Sequence, residues 1–100
     1  MGITATVRAT RRRRKLAHYA LVCRAVDARD GMACRVCLRF VVRAHHHHLV
    51  FRSRGGTDTT ANILRLCGTC HAEIHAHRLA VSGDADRHVQ INRISDTRGQ

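Results

Sequence analysis

The sequence predicts a small α+β domain held together by bound metal as much as by its core. Three observations carry that reading. Two Cys-x-x-Cys pairs, Cys34 with Cys37 and Cys67 with Cys70, have the spacing of metal-binding turns. Helical apolar spacing before the first pair gives way to β-rich segments, then returns to helix at the second. With 100 residues, only Tyr19, Phe40 and Phe51 as aromatics and no Trp, the core is light. A chain of this size buries only about 65% of the surface its unfolded form exposes, so a staple is expected.

Residues 1–15 read as a basic, disordered arm, loosely extended over residues 1–10 and ending in Arg11-Arg12-Arg13-Arg14-Lys15. Leu16, Tyr19, Ala20, Cys23 and Val26 then recur at helical spacing, and Asp30-Gly31 supplies the stop. Cys23 falls on that apolar face and reads as a buried small hydrophobe. Cys34 to Cys37 is a tight turn. Leu38 to Val42 is β-rich and leads into His45-His46-His47-His48. Leu49-Val50-Phe51 continues extended until Gly55-Gly56 breaks it. Thr57 to Asn62 is a polar loop, Ile63 to Leu66 a short apolar segment, and the second Cys turn opens a helix through about His77. Leu79-Ala80-Val81, a Ser-Gly-Asp turn and Val89-Gln90-Ile91 alternate as a β-hairpin, with residues after Ser95 frayed. No repeat or linker divides the chain, so residues 16–95 form one domain.

The net charge is +11, and seventeen of the eighteen basic residues are Arg. The planar guanidinium fork suits phosphate, so the balance points to nucleic acid. No long apolar face with basic flanks supports a membrane surface, and no stretch approaches the roughly 18 apolar residues of a membrane span. The acid-free first 26 residues faintly resemble an organellar transit peptide. Twin arginines are present, but Leu16 to Val22 is too short for an export segment and is interrupted by His18. The expected setting is a reducing cytoplasm, where five Cys read as four metal ligands and one spare.

Two residues between paired cysteines let both thiolates face one ion, and two such pairs complete a tetrahedral zinc site. A site closed by four thiolates keeps no open position, so its role is folding rather than chemistry. The 29 residues between Cys37 and Cys67 exceed a simple zinc ribbon. Three rivals are weaker. Cys67-Gly-Thr-Cys70-His71 matches a haem attachment pattern, but haem demands export, an axial partner and an apolar pocket. A dithiol redox site leaves one pair idle, and disulfides leave one Cys over.

The inserted segment carries His45 to His48, and the second Cys turn is followed by His71 and His75. A spacing of four puts His71 and His75 on one helical face, able to share a metal. His77 and His88 show no such pattern and read as solvated. Within the four-His run, neighbouring side chains of a regular strand face opposite ways, so the run alone does not choose a pair.

His47-His48-Leu-Val-Phe-Arg-Ser-Arg-Gly55-Gly56-Thr-Asp58, then Asn62-Ile-Leu-Arg-Leu-Cys67-Gly-Thr-Cys70-His71, then Ile74-His75 resembles the signature of the HNH endonucleases. Arg-Asp-Gly ahead of Cys34 fits the four-cysteine subgroup of that family. The resemblance covers about residues 27–91. It implies a ββα-metal unit between two zinc knuckles, preceded by the N-terminal helix and followed by the hairpin. Counted back from Gly55-Gly56, His48 matches the general base and His47 a metal ligand. His71 matches the ligand at the helix start, and His75 a further ligand of some members. Asn62 matches the side chain that braces the loop between the strands. Arg52 or Arg54 would clamp a phosphate; the Arg11–Lys15 run lies outside the resemblance, and its charge reads equally as tracking the DNA backbone or as a solvated tail.

The activity so implied is hydrolysis of DNA phosphodiesters, by nicking or double-strand cleavage. The catalytic cation would be Mg, Mn, Ni or Zn, with no small-molecule cofactor. Imidazole ligands and no nearby carboxylate favour a transition metal over Mg. His48 and His71 are expected to converge on that cation. The alternatives are a zinc-stabilised DNA-binding module without catalysis, and a metal-storage or sensor protein using the His run.

Overall fold

The computed structural model describes residues 5–94, so residues 1–4 of the expected arm and the expected fraying after Ser95 lie outside it. Helix α1 runs Ala5–Asp30. It begins well before Leu16, because residues 5–30 contain neither Gly nor Pro and are rich in Ala and Arg, both strong helix formers. The Arg11–Lys15 run therefore lies on a helix, not in a disordered arm. Residues 6–18 are exposed on every side, so this half of α1 projects from the body as a basic rod. The helix stops where expected, with Gly31 and Met32 both left-handed (φ 65° and 61°).

Strand β1 (His45–His48) pairs antiparallel with β2 (Ile63–Leu66), placing His45 opposite Leu66 and His48 opposite Ile63. Helix α2 (Gly68–His75) follows, then a second antiparallel pair, β3 (Leu79–Asp84) and β4 (His88–Arg93). All four residues of β2 are buried, because the β1–β2 ribbon is covered on both faces. Residues directly opposed across an antiparallel pair share a face. His45, His47, Leu64 and Leu66 thus face α2 and the core of Cys34, Cys67, Cys70, Leu79 and Ala85. His46, His48, Ile63 and Arg65 face α1.

The α1 face is polar at its centre and partnered there except at Arg65 Nε, which is buried without a hydrogen-bond partner. Arg65, 2% exposed, donates to Asp27 of α1 at 2.6 Å and to the carbonyls of Val41 and Val42. Asp27 also bonds His46 Nε2 at 2.7 Å. Arg29 reaches the carbonyls of Thr60 (2.6 Å) and Ile63 (2.7 Å). These contacts hold α1 on β2 where apolar burial is limited to Val26 and Ile63.

Four local expectations change. Leu38 to Val42 forms no strand, only an isolated bridge between Ala33 and Phe40, because the knuckle's own turn (Leu38 φ 65°) consumes the segment. Leu49-Val50 bends, and Arg52–Arg54 is a turn of 3-10 helix. The hairpin turns at residues 85–87, not at Ser-Gly-Asp, since Gly83 (φ 113°) pairs with Val89 inside the strand. Cys23 is half-buried rather than buried.

Candidate functional site

The two Cys turns meet. One sulfur from each of Cys34, Cys37, Cys67 and Cys70 lies within 4.8 Å of the others, and Cys37 and Cys67 Sγ are 3.8 Å apart. A tetrahedron with metal–sulfur bonds of about 2.3 Å has edges of about 3.8 Å, so the spacing suits one ion. Cys37 N–H donates to Cys34 Sγ at 3.5 Å, and Cys70 N–H donates to Cys67 Sγ at 3.3 Å. Burial opposes ionisation of Cys34, but hydrogen bonds from the backbone of Cys37, Cys67 and Val36 and from the Cys37 side chain outweigh it and bring its pKa down to about 7. Burial and the surrounding thiols push Cys70 up. Four sulfurs this close repel one another as thiolates, so the cluster calls for a cation.

On the α2 face of the ribbon, His47, His71 and His75 bring one ring nitrogen each within 4.8 Å. His71 and His75 Nε2 are 3.0 Å apart, as their four-residue spacing on α2 requires. His47 is 6% exposed. Burial first, then the positive charge that His71, His75 and His48 can carry, lowers its pKa to about 4. It is therefore neutral, in its ligand form, at neutral pH. His45 stacks on His71 with ring centroids 4.4 Å apart. Of the four-His run, strand parity gives His45 and His47 to this face.

His48 does not join them. It faces α1, its Nε2 bonded to Asp58 Oδ1 at 2.8 Å and its ring parallel to Tyr19 at 6.1 Å. The expected convergence is thus realised for His47, His71 and His75 and not for His48. The physical reason is strand parity: β1 is a regular strand through His48, so adjacent imidazoles diverge. His46 has a structural partner in Asp27, while His77 and His88 are exposed as expected.

Asn62 ties the loop that follows His48 to the start of β2. Its Oδ1 accepts from Val50 N–H at 2.8 Å, and its Nδ2 donates to the carbonyls of Val50 and Thr57, both at 2.9 Å. Gly55-Gly56 closes the same loop. Gly55 is left-handed (φ 85°), and a Cβ on Gly56 would sit 1.7 Å from the Val50 carbonyl oxygen.

Arg52, expected on phosphate, instead makes a two-pronged ion pair with Asp58 (2.9 and 3.1 Å) and lies over the Tyr19 ring at 4.8 Å. Asp58 is held below the usual carboxylate range, first by Arg52 and then by His48. His18 Nε2 lies 3.1 Å from the Asp58 carbonyl oxygen. Arg54 is exposed. Between α1 and the Arg52–Arg54 turn opens a groove of about 740 Å³, lined by Arg12, Arg14, Lys15, Tyr19 and Arg52 among others. Asp58 received no role from the sequence, although it is the only acid between Asp30 and Glu73. That isolation in a basic stretch was the available signal.

Residues 34–77, which contain the Cys cluster, the His cluster and Asn62, match the HNH endonuclease family. The chain belongs to that family. Two curated relatives are similar to this chain. It is 42% identical over 48 residues to the type IV methyl-directed restriction enzyme EcoKMcrA of Escherichia coli (strain K12), covering 48% of this chain and 17% of that enzyme. It is 35% identical over 52 residues to anaredoxin of Nostoc sp. (strain PCC 7120 / SAG 25.82 / UTEX 2576), covering 52% of this chain and 68% of anaredoxin. No solved structure matches. Among the described residues, no helix is long and apolar enough to cross a membrane.

Proposed function

We propose that this chain is a metal-dependent endonuclease domain that hydrolyses DNA phosphodiesters. In this reading zinc occupies the four-Cys site, and a divalent cation (Mg, Mn, Ni or Zn) is held by His47, His71 and His75. The observation that carries it is the meeting of His47 from β1 with His71 and His75 from α2 in a chain of the HNH family. The restriction enzyme among its relatives supports DNA as the substrate.

When bound, the cation at the three imidazoles supplies charge neutralisation to the phosphate and its leaving oxygen. The chain's own groups supply the rest. His48 takes a proton from water as the water oxygen bonds to phosphorus. The bond from phosphorus to the 3′ oxygen breaks, and that oxygen takes a proton from solvent. Asn62 keeps the loop after His48 in place through its three backbone hydrogen bonds. Arg11–Lys15 and Arg54 hold the phosphate backbone. Four metal-binding thiols suit a reducing, intracellular setting, and residues 16–95 act as one unit.

The deciding test is plasmid nicking with EDTA and then with Mg, Mn, Ni and Zn restored singly. Cutting is expected to vanish in EDTA and to return at least as well with a transition metal as with Mg, because the ligands are imidazoles. Intact plasmid under every metal rejects the nuclease reading. A second reading, a zinc-stabilised DNA-binding module without catalysis, is favoured by one observation: His48 lies on the α1 face, away from the three-His cluster. It predicts DNA binding in the same assay with no nicks.

Both readings share the groove beside α1. Replacing Arg12, Arg14 and Lys15 together with Ala is expected to weaken DNA binding alike for unrelated sequences. The slope of log affinity against log salt should flatten by about 0.9 for each phosphate that the protein no longer neutralises. An unchanged slope places the DNA elsewhere.

A further inference from the structure

The side of His48 turned away from the metal cluster carries an arrangement that neither the family match nor the motif accounts for. Asp58, just beyond the Gly55-Gly56 turn, meets His48 and Arg52 at once. Its Oδ1 lies 2.8 Å from His48 Nε2 and 2.9 Å from Arg52 Nε, and its Oδ2 lies 3.1 Å from Arg52 Nη2. Arg52 in turn rests on Tyr19, whose ring is parallel to that of His48 within 8°. The imidazole is thus gripped at one edge by a carboxylate and alongside by an aromatic ring from another element. The carboxylate is held across both oxygens by a guanidinium, which shares Oδ1 with the imidazole.

We propose that Asp58 is the positioning residue of His48, with Arg52 as its anchor rather than a phosphate clamp. The proposal rests on the nuclease reading above. A carboxylate only accepts hydrogen bonds, so Asp58 requires the proton of neutral His48 to sit on Nε2. Nδ1 is then the bare nitrogen, available to accept a proton from water. Without Asp58 the ring is free to exchange tautomers and to rotate about its side-chain bonds, and only a fraction of molecules present a basic Nδ1 in the required place. Arg52 fixes the carboxylate's plane by its two-pronged contact, leaving fewer orientations in which His48 is still served. Asp58 touches neither substrate nor cation and acts only through His48.

The test compares the full chain with its Asp58→Ala, Asp58→Asn, Asp58→Glu, Arg52→Ala and His48→Ala variants in steady-state cleavage of a duplex oligonucleotide. Nitrogen-15 NMR of the His48 ring is read alongside. Asp58→Ala and Asp58→Asn are expected to lower kcat about 10- to 100-fold while KM for DNA stays within about twofold. His48 should move from a single Nε2–H tautomer toward a mixture. Asp58→Glu restores part of kcat, and Arg52→Ala lowers kcat rather than raising KM. Wild-type kcat in Asp58→Ala beside an inactive His48→Ala overturns this inference alone, as does an unshifted His48 tautomer. Wild-type cutting by His48→Ala overturns this inference and the general-base role of His48 while leaving the nuclease reading standing; no cutting by any form overturns the nuclease reading and this inference with it.

Discussion

Cys34→Ser is expected to leave the chain largely unfolded and depleted of its tightly bound metal. Cys34 is fully buried, sits in the same cluster as Leu64, Leu66 and Leu79, and contributes one of the four converging sulfurs. A hydroxyl there removes a thiolate ligand and leaves a small polar group inside the core. Structural zinc contributes about 10–16 kcal/mol to folding in zinc-finger peptides, as much as the whole stability of about 5–15 kcal/mol of an ordinary domain. The described core outside the Cys residues consists of Val26, Ile63, Leu64, Leu66, Leu79 and Ala85, which is too little to replace that contribution. Far-UV circular dichroism and zinc content of the purified variant decide it. A folded Cys34→Ser protein with wild-type melting would show that the sulfur cluster is dispensable. Cys23→Ser is the matched control, since Cys23 lies half-buried on α1, outside the cluster.

His48→Ala is expected to cost cleavage about 10²- to 10⁴-fold, the usual range for removing a general base, with metal content and DNA affinity unchanged. His48 contributes little to the fold. It is partly buried, and its bond to Asp58 can be replaced by water in the open groove, while Arg52 still pairs with Asp58. The matched measurement is single-turnover cleavage beside binding of the same duplex in EDTA. If His48→Ala cuts as fast as wild type, the proton acceptor lies elsewhere, and the imidazoles facing α2 become the first place to look. This variant also separates a nuclease from a binding module, because only the former has anything to lose at His48.

Much of this is legible in the residues. Paired Cys at a separation of two residues announce a four-sulfur cluster whatever lies between, because thiolates that close need a cation. His71 and His75 announce a shared helical face by their spacing alone. Gly55-Gly56 announces a tight loop, and the backbone approach at Gly56 shows why no side chain fits there. The helix stop at Gly31 is readable, and the helix start is not. The Arg run looks like a disordered arm by charge, whereas Ala and Arg propensity with no breaker carries α1 back to Ala5. Glycine marks turns, so the residues point to Gly83 for the turn of the second hairpin. In the fold its positive φ serves a close approach to His88 within the strand instead.

The four-His run shows where sequence stops. Composition and spacing determined that this chain pairs four thiolates for one ion, sets two imidazoles on one helical face, and is rich in arginine. They could not say which imidazole faces which way, because a four-residue strand has two faces and the choice depends on what covers each. Tertiary structure made that choice. With α2 and the Cys core on one side and α1 on the other, parity sends His47 to His71 and His75, and sends His48 to Asp58. Contacts between residues far apart in the chain have no local periodicity to reveal them, so the partner of His48 could be found only once α1 and the ribbon were packed together.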